Sequence, residues 1–232
     1  MFKSVLLATR PLVPPWDEAS KNFAYFLGRE VKNHKLSLLT TKEALTGLPE
    51  TTVQVPIFKQ SHFSFGAKIA LFRFLRAARG RFDITHYLFT PTKQNTNLIK
   101  RFAFPTKGKT LQTVATLRQD LYTKEELRSL LFADHLVVYT DKTKASLNDL
   151  GFDNVTRIYP GIDLNLYQPR AKDENVLRTY GLTPEDFFVI YPGEYTRLGA
   201  TDMLTETFLQ YFSEHPDSSL KFLFACRIKN EA

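Results

Sequence analysis

Short apolar runs rich in Val, Leu and Ile alternate along this chain with segments whose apolar positions recur every three or four residues. A strand buried on both faces of a parallel sheet reads as such a continuous apolar run. The runs predict strands near 3–8, 35–39, 53–57, 83–88, 110–115, 135–140 and 154–158. The helical spacing predicts helices near 18–32, 66–79, 94–103, 123–131 and 142–150. Strands and helices in alternation imply right-handed parallel crossovers, hence an α/β fold with a doubly wound, Rossmann-like parallel sheet.

The pattern is clearest from Ala133 to Tyr159. Leu136 to Tyr139 is a β-branched apolar run, after which Asp141 is expected to cap a helix with Leu147 and Leu150 facing inward and Gly151 ending it. Asn154 to Tyr159 alternates again, and Pro160-Gly161 breaks the strand. Beyond it, residues 163–183 are rich in Pro, Lys, Asp, Glu and Asn, which suits a linker with a short helical piece. A strand from Phe187 to Tyr191 then leads through Pro192-Gly193 to a helix near 201–213 and a strand from Leu220 to Ala225. The expected organisation is a first domain at 1–162, a linker at 163–183 and an incomplete second Rossmann-like unit at 184–232. One βαβ unit has too little core to stand alone.

An apolar share of 43% with 20 Phe is ample for a folded core. The single cysteine, Cys226, excludes a disulfide framework and points to a reducing, cytoplasmic compartment. The first apolar run is too short for a signal peptide or a membrane span. The net charge of +7 conceals an asymmetry: residues 1–110 hold 18 Lys and Arg against 6 Asp and Glu (+12), and the remainder 13 against 18 (−5). A basic half seeks an anionic partner.

Residues 62–82 narrow the choice of partner. On a helix Lys68, Arg73, Arg76 and Arg79 fall within an arc of about 140° that also contains Ile69 and Phe72. Apolar residues among cations suit either a surface lying on an anionic bilayer, peripheral at the inner face of the membrane, or a core helix with a solvated basic edge. Nucleic acid is not expected as a partner, because no recognition motif is present and the aromatics are scattered through apparent core strands.

Ala133, Asp134, Thr140, Gly161, Ile162, Asp163, Tyr167 and Pro169 form a further pattern: an Ala-Asp, a strand ending in a small polar residue, and a Gly-Ile-Asp ahead of an aromatic and a proline. In these residues the chain resembles the nucleotide-sugar-dependent glycosyltransferases with two facing Rossmann-like domains, the GT-B fold of glycosyltransferase family four. The resemblance implies an amino-terminal acceptor domain followed by the start of a donor domain. It also implies retaining transfer of a sugar from a nucleotide-diphosphate donor to an acceptor hydroxyl, with no cofactor and no essential metal.

Several positions depart from the family pattern. Relatives carry paired glycines ahead of the first helix to admit the donor diphosphate, where this chain has Ala19 and Ser20. Ser20 retains a hydroxyl and an amide as a donor contact. Trp16 and Asp17 lie on the same loop, with Trp16 either stacking on a sugar or packing on the helix. His86 corresponds to the family's Asp-x-x-His and is the catalytic candidate, or else a packed core histidine. At the next strand end, where many relatives place a histidine, Ala115 and Thr116 stand instead, leaving Thr116 and Arg118 as acceptor contacts. In YPGEYTRLGATD, Gly193 matches the family's glycine turn, while Glu194 and Leu198 replace its diphosphate-binding cations and Arg197 is the one cation left. No His, Cys or carboxylate set has metal-ligand spacing.

The expected function is sugar transfer from a nucleotide-diphosphate donor to a lipid-linked or polysaccharide acceptor. The 232 residues alone are expected to be inactive without the remainder of a donor domain or a partner subunit. The alternative from another class is a noncatalytic, membrane-docking subunit of a two-part glycosyltransferase.

Overall fold

The computed structural model describes residues 3–14, 16, 18–88, 92–117, 121–165, 167–194 and 200–227. The chain divides into two compact units, residues 1–161 and 162–232. In the first unit the elements run β1 (Ser4–Leu12), α1 (Ala19–Glu30), β2 (Lys35–Thr40), β3 (Thr52–Pro56), α2 (Phe65–Ala77), β4 (Ile84–Tyr87) and α3 (Lys93–Leu98). A π-helical turn (Ile99–Ala103) continues α3, and β5 (Lys109–Val114), α4 (Lys124–Leu130), β6 (His135–Val138), α5 (Asp141–Asp149) and β7 (Val155–Arg157) follow.

All seven strands pair in parallel, in the order β3-β2-β1-β4-β5-β6-β7. This is the expected Rossmann-like sheet, and its order reverses direction between β1 and β4. Alternate residues of β1 feed two cores, because side chains on a strand point to opposite faces. Leu6 and Ala8 pack with Leu39, Tyr87 and the α2 residues Leu71 and Leu75, while Val5 and Leu7 pack with Leu36, Leu38 and Ala24 of α1. A third cluster joins Val114, Leu136 and Val138 to Leu147 and Leu150.

Two local expectations are corrected and a third holds. Thr140, not Asp141, caps α5: its backbone is extended and its side chain accepts from the Thr143 amide at 3.1 Å. Asp141 is thereby left inside the first turn, where its carboxylate accepts from Arg157 Nε and the Tyr159 hydroxyl, each at 2.9 Å. The helix foreseen over 94–103 is α-helical only to Leu98 and then widens into the π turn. Gly151, at φ +86°, ends the α5 segment as foreseen, since a residue with a Cβ is strained there.

The second unit contains α6 (Glu174–Thr179), β8 (Phe187–Glu194), α7 (Ala200–Glu214) and β9 (Leu220–Arg227). Strands β8 and β9 are parallel and form a two-stranded sheet. The α7 residue Phe208 stacks on Phe222 of β9 with ring centroids 3.8 Å apart. The strand expected to stop at Tyr191 runs on to Glu194, so Gly193 does not form a turn but lies in register with Cys226. Pro192 is tolerated because an edge strand needs no donor on its open side.

Candidate functional site

In a parallel sheet every helix begins at the carboxyl edge of the strand before it, so helix starts and strand ends converge on one rim. The first unit has a cleft of about 900 Å³ on that rim. Arg10 enters it from the end of β1, Phe63 to Ile69 from the start of α2, Thr92 to Asn95 from the start of α3, and Tyr122 from the approach to α4. Arg10 belongs to β1, and the Thr92 segment follows β4, so the cleft sits at the point where the strand order reverses.

Local sequence explains how these walls are built. Ser64 caps α2 by accepting from the Ala67 amide, and Thr92 caps α3 by accepting from the Asn95 amide. Leu71 and Leu75 are buried and form the floor, while Phe65, Ile69 and Leu98 remain exposed at the rim. Phe72 is half-buried and meets Phe102 of the π turn edge-on, at 6.5 Å between centroids, which joins the two walls.

Among the described residues three cations line this cleft: Arg10, Lys68 and Lys93. Arg10 donates to both Glu18 oxygens, at 2.9 and 2.7 Å, and its guanidinium lies 5.7 Å from the centre of the Phe63 ring. Lys93 pairs with Glu126. Lys68 is exposed and has no ion-pair partner among the described residues. A second, smaller cavity of about 190 Å³ lies between Arg10, Glu18, Lys21 and the 61–63 segment. Lys21 is buried there and its ammonium faces the Val13 carbonyl at 3.4 Å.

The residues anticipated from sequence are dispersed. Lys68, Ile69 and Phe72 line the large cleft. Arg73 and Arg76 are exposed on α2, but Arg79 lies past its end and donates through Nε to the Phe104 carbonyl at 2.8 Å. Its position on a continuous basic arc is therefore corrected: the helix stops at Ala77 and the guanidinium ties two loops together. Trp16 is half-buried with its ring stacked on Tyr25 at 4.5 Å, so it packs on α1. Ser20 occupies the first turn of α1 and is half-buried, and Thr116 is exposed beyond β5. Asp17, Arg118 and Arg197 lie outside the described residues.

His86 is drawn into the core instead of facing either cleft. It is 7% exposed, and its Nε2 lies 2.7 Å from the Thr113 hydroxyl. Burial holds its pKa down to about 4, so the ring is neutral at physiological pH and a poor proton carrier for catalysis there. Arg10, Lys93 and Leu98, by contrast, belong to the cleft and escaped the sequence reading. The signal available for the last two was Thr92 as a capping residue directly after an apolar strand.

No described helix is long and apolar enough to cross a membrane. Neither a family model nor a curated protein matches the sequence. Solved structures do match in fold. HepE from Anabaena, solved in complex with UDP and glucose, aligns with a TM-score of 0.56 and 14% identity over 97% of this chain and 73% of its own. A glycosyltransferase from Rickettsia africae aligns with a TM-score of 0.57 and 14% identity over 96% of this chain and 68% of its own. The architecture is therefore a mixed α/β fold with a Rossmann-like seven-stranded parallel sheet, of the kind found in these two proteins.

Proposed function

We propose that the protein is a glycosyltransferase of the two-domain GT-B type, moving a sugar from a nucleotide diphosphate to a hydroxyl of a lipid-linked or polysaccharide acceptor. The observation that carries this reading is the fold match over 97% of the chain to HepE, whose structure holds UDP and glucose. The switch-point cleft of the first unit adds to it, because ligands of open parallel sheets bind at that place. In the transfer the bond from anomeric carbon to phosphate oxygen breaks, the nucleoside diphosphate departs carrying the proton of the acceptor hydroxyl, and the acceptor oxygen takes the vacated bond with retained configuration.

The first unit receives the acceptor in this reading, and the second belongs to the donor side. Ser20, Gly193 and Arg197 are the proposed donor contacts, and Trp16, Asp17, Thr116 and Arg118 the proposed acceptor contacts. Ile69, Arg73 and Arg76 present α2 to an anionic leaflet, each cation near it adding about 1 kcal/mol.

The test is nucleoside diphosphate release by the full natural gene product, offered a panel of UDP-, GDP- and dTDP-sugars with lipid and polysaccharide fractions as acceptors. Release that depends on both donor and acceptor, with product of unchanged anomeric configuration by NMR, is expected. No release from any donor would sink the proposal.

A further inference from the structure

The cleft between α2 and α3 is polarised along its length. At the end near the strands stand Arg10, Lys68 and Lys93 beside Phe63 and Phe65, and among the described residues no carboxylate lines the cleft. Away from that end the walls are Ile69, Phe72, Leu75 and Leu98. From Lys68 to Leu75 the α2 wall runs about 10 Å at 1.5 Å per residue, the length of an alkyl chain of about eight carbons. A volume of about 900 Å³ lies within the range of small-molecule sites. Exposed apolar side chains at its lip, Phe65, Ile69 and Leu98, are costly in water unless something covers them.

Charge selects the occupant's head group. Arg10 and Lys93 already hold Glu18 and Glu126, which fixes their positions, while Lys68 keeps its charge unmatched among the described residues. Among the described residues the mouth has three cations and two neighbouring carboxylates, which leaves one net positive charge and ample donors for a phosphate oxygen. The apolar length behind it excludes a free phosphate or a bare sugar as the natural occupant.

The geometry points to a single-chain lipid phosphate as the ligand of this cleft, its chain lying along α2 against Leu75 and Leu98 and its phosphate at Lys68. This rests on the glycosyltransferase reading and deepens it: the acceptor is carried on a phosphorylated lipid held by the protein one molecule at a time. The bilayer supplies the lipid, but the cleft recognises the individual molecule.

The experiment is calorimetric titration of the protein with monomeric dodecyl phosphate below its critical micelle concentration, against dodecanol and inorganic phosphate. Dodecyl phosphate is expected to bind at least about tenfold more tightly than either control. Lys68→Glu removes that margin, Lys68→Arg restores it, and Leu98→Gln weakens all chain-bearing ligands while leaving inorganic phosphate unaffected. Lys68 and Leu98 are exposed, so the variants are expected to fold, which circular dichroism verifies. Equal binding of dodecanol and dodecyl phosphate overturns the assignment. So does binding only to phosphatidylglycerol vesicles with none to the monomer, which marks a bilayer surface instead. Sugar transfer to a water-soluble oligosaccharide, measured alongside, keeps the two readings separate: transfer without dodecyl phosphate binding sinks the lipid acceptor and leaves the transferase standing.

Discussion

The Asp134 carboxylate accepts from both the amide and the hydroxyl of Thr110, at 2.7 and 2.9 Å, and Asp83 grips Ser4 in the same way at 2.8 and 2.9 Å. Each aspartate directly precedes a strand and holds the start of the strand beside it, β6 to β5 and β4 to β1. The Ala-Asp that helped to mark the family resemblance is therefore a register clamp at the amino edge of the sheet, opposite to the cleft.

Asp134→Ala is expected to lower stability by about 1 kcal/mol at neutral pH, a value reduced for solvent at this exposed site. Burial pushes the Asp134 carboxyl up, but the Thr110 amide and hydroxyl and the neighbouring Lys109 together pull it below the ordinary carboxylate value. Its contribution is thus present above the unfolded value of 3.8 and is lost as pH falls through the lower folded value. Urea midpoints of wild type and variant should differ at pH 7 and converge in acid. A gap of the same size under both conditions contradicts the clamp.

His86 adds to the loss of stability in acid, by refusing a proton instead of by losing a charge. Its folded pKa near 4 lies below the ordinary 6.5, so between these values the unfolded chain binds a proton that the folded protein refuses. Stability should fall as pH drops through that window, by on the order of 3 kcal/mol in all. His86→Gln should flatten this part of the profile relative to wild type. An NMR titration of the His86 ring with a midpoint near 6.5 would refute the buried assignment.

Gly108 has φ +81°, and a Cβ there would meet the carbonyl oxygens of Phe82 and Asp83 at 2.5 Å. Backbone cannot yield as a side chain tip can, so Gly108→Ala should cost about 2 kcal/mol or more. Gly161 has open space around it, and Gly161→Ala should stay within about 0.5 kcal/mol. Thermal unfolding of the two variants side by side measures the contrast, and equal melting temperatures would contradict it.

Arg79 and its neighbours on α2 should separate by assay. Arg79→Ala loses the bond to Phe104 and is expected to lower stability by about 1 kcal/mol while leaving vesicle binding intact. Arg73→Glu with Arg76→Glu should do the reverse, abolishing flotation with anionic vesicles at unchanged stability. Flotation lost only in Arg79→Ala would assign the basic surface differently.

Strand positions were legible because burial on both faces leaves an uninterrupted apolar run, as in Val5 to Ala8 and Leu136 to Val138. The cleft was legible only in part, since Lys68, Ile69 and Phe72 stood out as a mixed helix face. Arg10 fell beyond the first expected strand, and its role at the rim comes from the meeting of β1, α2 and α3, which no local pattern encodes. His86 stood open between a cleft role and a core role for a related reason. Its place near a strand end was read correctly, but whether a strand-end ring faces solvent or core depends on the neighbouring strand that supplies Thr113.

A π turn is an α-helical turn that has absorbed one surplus residue. The segment Ile99–Ala103 thus stores a one-residue insertion without breaking the helix that carries it. Deleting one residue between Leu98 and Phe102 would rewind it to an α turn and leave the direction of the Phe102 ring around the axis changed by only about 30°. The cleft wall can therefore shed or gain a residue at this point while the aromatic joint between the walls and all seven strands of the sheet stay in place.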